Sequence, residues 1–194
     1  SRGLGDVYKR QFAHSLKADE RDFDTSMLIE TLQDRQEMNG IRYFSGMDED
    51  NRLKRVFIEM EQGLEEWAIA GDSNVVLFDP THGTNRYGMK LSCFTTVSST
   101  GATVVLAMAL LRDEGHENIL WAFECFARTF RVAPEAIFTD GGGSLASAFK
   151  VMSQDGMPWE RTRHLLCIFH LFKNFYAHMK KLFADIDSWR EASR

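Results

Sequence analysis

Two stretches, Val75-Val76-Leu77-Phe78-Asp79 and Ala136-Ile137-Phe138-Thr139-Asp140, decide how this chain is read. Each is a short apolar run ending in a carboxylate, with Pro80 after the first and Gly141-Gly142-Gly143 after the second. Runs of this kind predict buried β-strands bounded by turns. In open α/β sheets, ligands sit in the crevice outside the carboxyl ends of the strands. Two such ends side by side bring two acidic groups together and call for a cation. Spacing alone also allows a plainer role, since aspartate favours turns and helix caps.

Working outward, Met89–Val97 and Ala102–Leu111 are β-rich runs joined by the small residues Ser98-Ser99-Thr100-Gly101, a hairpin signal. A helix is expected from about Glu117 to Arg131, because Ile119, Phe123, Phe126 and Phe130 recur at i, i+4, i+7 and i+11. Pro134 lies just beyond its end. Ser144 is placed to cap a second helix, in which Leu145, Ala148, Phe149 and Met152 share a face. His164–Phe169 reads as a fifth strand, and a last helix from about Leu171 has Phe172, Phe175, Met179 and Leu182 as its buried stripe. Upstream, residues 12–38 carry a weak helical stripe around Leu28 and Leu32. Residues 41–60 read as strand, turn and strand or as a helix–strand junction, and Glu59–Ala70 as a short helix.

Three strands joined by tight turns cannot all be parallel, whereas strands reached through helices can be. The expectation is an α/β fold with a mixed five-stranded sheet flanked by helices, in the element order of the ribonuclease H-like fold. Residues 12–71 form its N-terminal flanking segment and 72–194 its core, expected to be incomplete because the chain closes at Arg194 inside a charged, helix-like stretch. Residues 1–11 have no apolar period and read as a non-native leader.

Composition narrows the classes. The 194 residues are 44% hydrophobic and 12% aromatic, enough for a sizeable core. No run of 18 apolar residues predicts a membrane span, and no signal-peptide layout opens the chain. The three cysteines, Cys93, Cys125 and Cys167, make no disulfide framework. A formal charge of −5 gives no overall attraction to nucleic acid, so any such contact needs a local patch.

Several motifs in order carry a family resemblance. They are Asp79-Pro80-Thr81-His82-Gly83-Thr84-Asn85-Arg86-Tyr87-Gly88, Ala109-Leu110-Leu111-Arg112-Asp113-Glu114, Trp121, Ile137-Phe138-Thr139-Asp140-Gly141 and Cys167-Ile168-Phe169-His170. Together they resemble the transposase domain of Mutator-like elements. They are equally similar to the plant transcription factors of the far-red-impaired-response type derived from such transposases. The similarity covers about residues 72–182, and Arg42–Gly71 resembles the segment that precedes the domain.

The resemblance implies a ribonuclease H-like nuclease using three acids, with Asp79 and Asp140 as the first two. The third, a glutamate beyond a helical insertion, is expected downstream of Arg194, and Glu191 sits too close to the Cys-x-x-His element to replace it. Pro80 departs from the family, which often has Thr there. The implied reaction is DNA strand cleavage and transfer: water attacks a phosphodiester at the element's end, and the freed 3′-hydroxyl attacks target DNA. Expected partners are DNA and further copies of the chain, in the nucleus. The alternative is a domesticated DNA-binding regulator of transcription without catalysis.

With the family pattern, Asp79 and Asp140 are read as catalytic ligands of Mg²⁺ or Mn²⁺, hard cations that take carboxylate oxygens. A two-metal site activates the attacking oxygen and stabilises the leaving one. The Asp140–Ser144 loop lacks the Gly-Lys-[Ser/Thr] of a nucleoside-triphosphate site. Its helix N-terminus leaves room for a DNA phosphate. Cys167 and His170 form half a zinc site at best, because structural zinc takes four ligands and only His164 and His178 lie near in sequence. Zinc is therefore not expected, and Cys167 reads as a small buried hydrophobe. Arg161, Arg163, Lys173, Lys180 and Lys181 form an acid-free basic stretch with candidate phosphate contacts. Among them Phe172 and Phe175 are assigned to the core. Asp113, Glu114 and Glu117 read as a helix-start acidic cluster.

Overall fold

The computed structural model describes residues 25–50, 52–70, 74–81, 85 and 87–192. The expected leader, residues 1–11, lies outside them. Helix α1 (Thr25–Asn39) opens the described chain and buries Leu32. Strands β1 (Tyr43–Met47) and β2 (Leu53–Glu59) and helix α2 (Glu61–Ala70) follow. Next come β3 (Val75–Thr81), β4 (Lys90–Val97) and β5 (Thr103–Leu111). Helix α3 (His116–Phe130), β6 (Ala136–Thr139), α4 (Gly143–Met152), β7 (Arg163–Leu166) and α5 (Ile168–Ala192) complete the order.

The strands form one mixed sheet in the order β1-β2-β5-β4-β3-β6-β7. As the turn lengths demand, β3, β4 and β5 are antiparallel neighbours, while β6 and β7, each reached through a helix, run parallel to β3. The sheet has seven strands, not the expected five. The flanking segment folds as a hairpin, and β2 pairs with β5 from Arg55↔Leu111 to Glu59↔Ala107. Phe57 is thereby wholly buried, and Glu59, 2% exposed, takes a hydrogen bond from Arg42 Nε at 2.7 Å.

One face of the sheet holds the main core. Phe78 and Phe94 lie 4.6 Å apart between ring centroids, and Phe78 meets Phe123 of α3 edge-on at 5.0 Å. Trp67 of α2 meets Phe126 and Phe130 edge-on at 5.5 Å. The expected stripes hold on α3 (Ile119, Phe123, Phe126, Phe130) and on α4 (Leu145, Ala148, Phe149, Met152), all of them buried. A smaller cluster of Leu91, Cys93, Val105 and Met108 lies apart from this core.

Three local expectations change. Asp79 does not end its strand: β3 runs on to Thr81, and Pro80, which has no N–H, falls where β3 has outrun β6. Ser144 does not cap α4; Gly142 stands at the cap, with no side-chain bond. Strand β7 stops at Leu166, and α5 begins at Ile168, earlier than expected.

Candidate functional site

The register of β3 on β6 places the two aspartates. Val75 pairs with Ala136, Val76 with Ile137 and Leu77 with Phe138. The same offset sets Asp79 level with Asp140, one residue past the end of β6. In-register parallel neighbours share a face, with backbones about 4.8 Å apart. Val76 and Ile137 point into the main core. Asp79, three residues past Val76 on β3, therefore stands on the opposite face, and Asp140 follows the last residue of β6.

The turn after β6 is built by side chains. Asp140 Oδ1 accepts the Gly142 N–H at 2.9 Å. Thr139, 1% exposed, accepts the Gly141 N–H at 3.2 Å, and its hydroxyl also bonds His164 Nε2 on β7 at 2.8 Å. His164 stacks on Phe149, with centroids 4.7 Å apart, and burial lowers its pKa. Gly141 has φ +79°, and a Cβ there would lie 2.6 Å from Leu166 Cδ2, so the position needs glycine. Sequence reasoning missed Thr139 and weighed His164 only as a zinc candidate. The signal was faint: a threonine before the acid, and a histidine 25 residues on.

Cys167 and His170 sit where β7 turns into α5. The Cys167 N–H bonds the Thr139 carbonyl at 2.7 Å, and the Cys167 carbonyl accepts the Leu171 N–H at 3.0 Å. The helix start turns His170 toward Asp79, whose Oδ1 lies 3.9 Å from Nε2. Cys167 is half-buried rather than core. Among the described residues, no three His, Cys, Asp or Glu side chains gather into a group able to hold a metal ion. The carboxylates still suit Mg²⁺ or Mn²⁺, because Mg²⁺ keeps several waters and takes only one or two carboxylates beside substrate phosphates.

The basic stretch divides. Arg161 lies in the turn just before β7, and Arg163, which opens that strand, pairs with Ala136 at the start of β6. That is the sheet end remote from the aspartates, about 13 Å away over four residues of strand. Arg163 is also ion-paired with Glu135. Lys173, Lys180 and Lys181 lie exposed on α5, which sets out from the aspartate end. The assignment of Phe172 and Phe175 to the core is overturned: both are exposed, as is Leu182, with Met179 half-buried. Helix α5 leaves the edge strand β7, and no described element covers its apolar side.

The acidic cluster before α3 serves the loop. Asp113 Oδ1 accepts the Gly115 N–H at 2.7 Å and the Asn118 side-chain amide at 2.9 Å. Glu117 pairs with Lys54 at 3.4 Å. A polar cavity of about 390 Å³ opens beside the β1–β2 turn, lined by Asp48, Arg52 and Arg112 among others. There Asp48 accepts hydrogen bonds from the Arg52 N–H at 2.9 Å and from Arg112 Nη1 at 2.9 Å. The Arg52 backbone bond, helped by the two guanidiniums, holds its carboxyl below the usual range. This cavity is a braced turn, remote from Asp79 and Asp140.

Residues 75–174 match the MULE transposase domain. Among curated relatives from Arabidopsis thaliana, Protein FAR1-RELATED SEQUENCE 11 is 28% identical over 66% of this chain and 18% of its own length. Protein FAR1-RELATED SEQUENCE 4 is 26% identical over 87% of this chain and 24% of its own. Protein FAR-RED IMPAIRED RESPONSE 1 is 26% identical over 81% of this chain and 19% of its own. The chain thus spans about a fifth of the length of the curated relatives it matches. With a match that runs from the first residue of β3 into α5, and so over half of its length, the chain belongs to the MULE transposase domain family.

Proposed function

We propose that this chain is the ribonuclease H-like part of a DDE-type transposase that cuts and joins DNA with Mg²⁺ or Mn²⁺. The register that brings Asp79 level with Asp140 on adjacent parallel strands carries the reading. It is supported by the strand order, three antiparallel strands followed by parallel ones reached through helices, and by the family. A bound divalent ion would activate the attacking oxygen and stabilise the leaving one. Asp79 and Asp140 would hold it. Thr139 and His164 fix the turn that aims Asp140, and His170 stands beside Asp79. The N-termini of α4 and α5 open at the same sheet end and favour phosphate. Lys181, on the side of α5 that carries His170, would meet the DNA backbone, whereas Arg161 and Arg163 are too remote from the acids to share its phosphates. Work on DNA would place the protein in the nucleus.

Manganese binding by the 194-residue chain, followed by electron paramagnetic resonance, tests the site. Asp79→Asn and Asp140→Asn should each weaken it by about ten-fold or more, since each removes one charged ligand. In a longer polypeptide that cuts DNA, either change should abolish cleavage and leave the fold intact. Unaltered manganese binding in both variants would sink the nuclease reading.

The relatives favour a second reading, because their names tie them to a far-red response. On it the domain binds DNA and regulates without cutting. DNA binding that survives both aspartate changes, with no cleavage by the unaltered protein, is the result this reading predicts.

A further inference from the structure

His170 turns one ring nitrogen toward the aspartate end of the sheet and buries the other. Its Nε2 lies 3.9 Å from Asp79 Oδ1, and its side chain is 24% exposed. That separation is beyond hydrogen-bond length, so the carboxylate does not accept from the ring directly. On the other side of the ring, Nδ1 is buried and has no hydrogen-bond partner among the described residues. A neutral imidazole carries one N–H and one bare nitrogen, and the surroundings decide which is which. A proton on Nδ1 would be a buried donor without an acceptor, and it would set the Nε2 lone pair against the Asp79 carboxylate. A proton on Nε2 avoids both, so His170 offers an N–H to the space beside Asp79.

We propose that His170 is a substrate contact: its Nε2–H donates a hydrogen bond to a phosphate oxygen of the DNA strand held at Asp79. This rests on the reading that the aspartates hold a divalent ion on DNA, because the ion is what lets a phosphate approach a carboxylate. An oxygen about 2.9 Å from Nε2 and about 3 Å from Oδ1 fits a gap of 3.9 Å as the apex of a triangle. The contact is that of a neutral donor. It orients a phosphate without releasing a counterion, and it carries no sequence information. A lysine contact differs, because each ammonium neutralises a phosphate and steepens the salt dependence. Metal ligation and proton abstraction both need a bare Nε2, so the buried Nδ1 argues against either role for this ring.

The test uses the 194-residue chain with Mg²⁺ and two fluorescent duplexes of about 20 base pairs, one all A·T and one all G·C. Anisotropy at pH 8 over a series of salt concentrations gives the affinities. His170→Ala should weaken binding about ten-fold on both duplexes, with the slope of log affinity against log salt unchanged. Lys181→Ala should instead reduce that slope by about one. His170→Gln, whose side-chain amide keeps a donor near the Nε2 position, should bind within about two-fold of the unaltered chain. Manganese binding, followed by electron paramagnetic resonance, should be the same in His170→Ala as in the unaltered chain. Unchanged DNA affinity in His170→Ala overturns the proposal, and the nuclease reading outlives it if Asp79→Asn still weakens manganese binding. No binding of either duplex by the unaltered chain also overturns it. So does weaker manganese binding in His170→Ala, which would tie the ring to Asp79 or to the ion. A loss confined to one duplex would make His170 a base contact, and a shallower salt slope would make it a charged one; either result sinks the neutral phosphate donor.

Discussion

The Thr139 hydroxyl bonds His164 at 2.8 Å and takes the Gly141 N–H at 3.2 Å, so a buried residue of β6 sets the turn that carries Asp140. This makes the candidate site sensitive to the charge on His164. Burial lowers the His164 pKa in the folded protein, so the unfolded chain takes up the proton first as pH falls. The stabilisation from neutral His164 is complete above the unfolded value of about 6.5 and is lost as pH drops through the lower folded value. Urea midpoints measured at pH 8 and pH 5 should therefore fall toward acid, and His164→Gln should shrink that difference. An equal pH dependence in the variant would show that His164 plays no part. The aspartates were legible because each ends an apolar run. The Thr139–His164 tie was not, because only the β6–β7 register brings together two residues 25 apart.

Helix α2 shows how closely an element can be fitted. A Cβ on Gly63 would lie 2.5 Å from the Leu106 carbonyl oxygen and 2.6 Å from its Cα, both backbone atoms of β5. Alanine favours a helix over glycine by about 1 kcal/mol, which argues for a gain. The clash outweighs it, because β5 is a central strand paired on both sides and the helix must lift instead. Gly63→Ala should destabilise the protein by about 1–3 kcal/mol in urea unfolding, the usual cost of overpacking. A stabilised variant would show that α2 shifts freely on the sheet. Periodicity was a good guide to α3 and α4, whose stripes are buried, and a poor one to α5. Spacing tells which side of a helix is apolar, not whether anything lies against it. The same limit applies at β7, where Cys167-Ile168-Phe169 suits a strand by composition but turns instead into the first turn of α5.

On the scale of the whole molecule, the β1–β2 hairpin is part of the sheet and α2 part of its core. Its β2 covers the edge of β5, Phe57 is fully buried with its ring 5.8 Å from Phe94, and Trp67 packs on Phe126 and Phe130. Reading that hairpin as a flank was reasonable from sequence, because β1 has only five residues and none of them is fully buried. Its pairing with β5 depends on a contact across about fifty residues, which no local pattern reveals. Truncating a buried Phe or Trp to alanine costs about 3–5 kcal/mol, and a domain's whole stability is about 5–15 kcal/mol. Removing Phe57 and Trp67 together therefore takes away most or all of it, and it also bares the β5 edge to pairing with other chains. A chain of residues 72–194 should show no cooperative thermal transition and should aggregate, whereas the 194-residue chain should melt cooperatively. Circular dichroism on the two pieces decides the matter. A cooperative melt of the shorter one would mean that the aspartate end of the sheet folds on β3 to α5 alone, with the hairpin an ornament on a complete core.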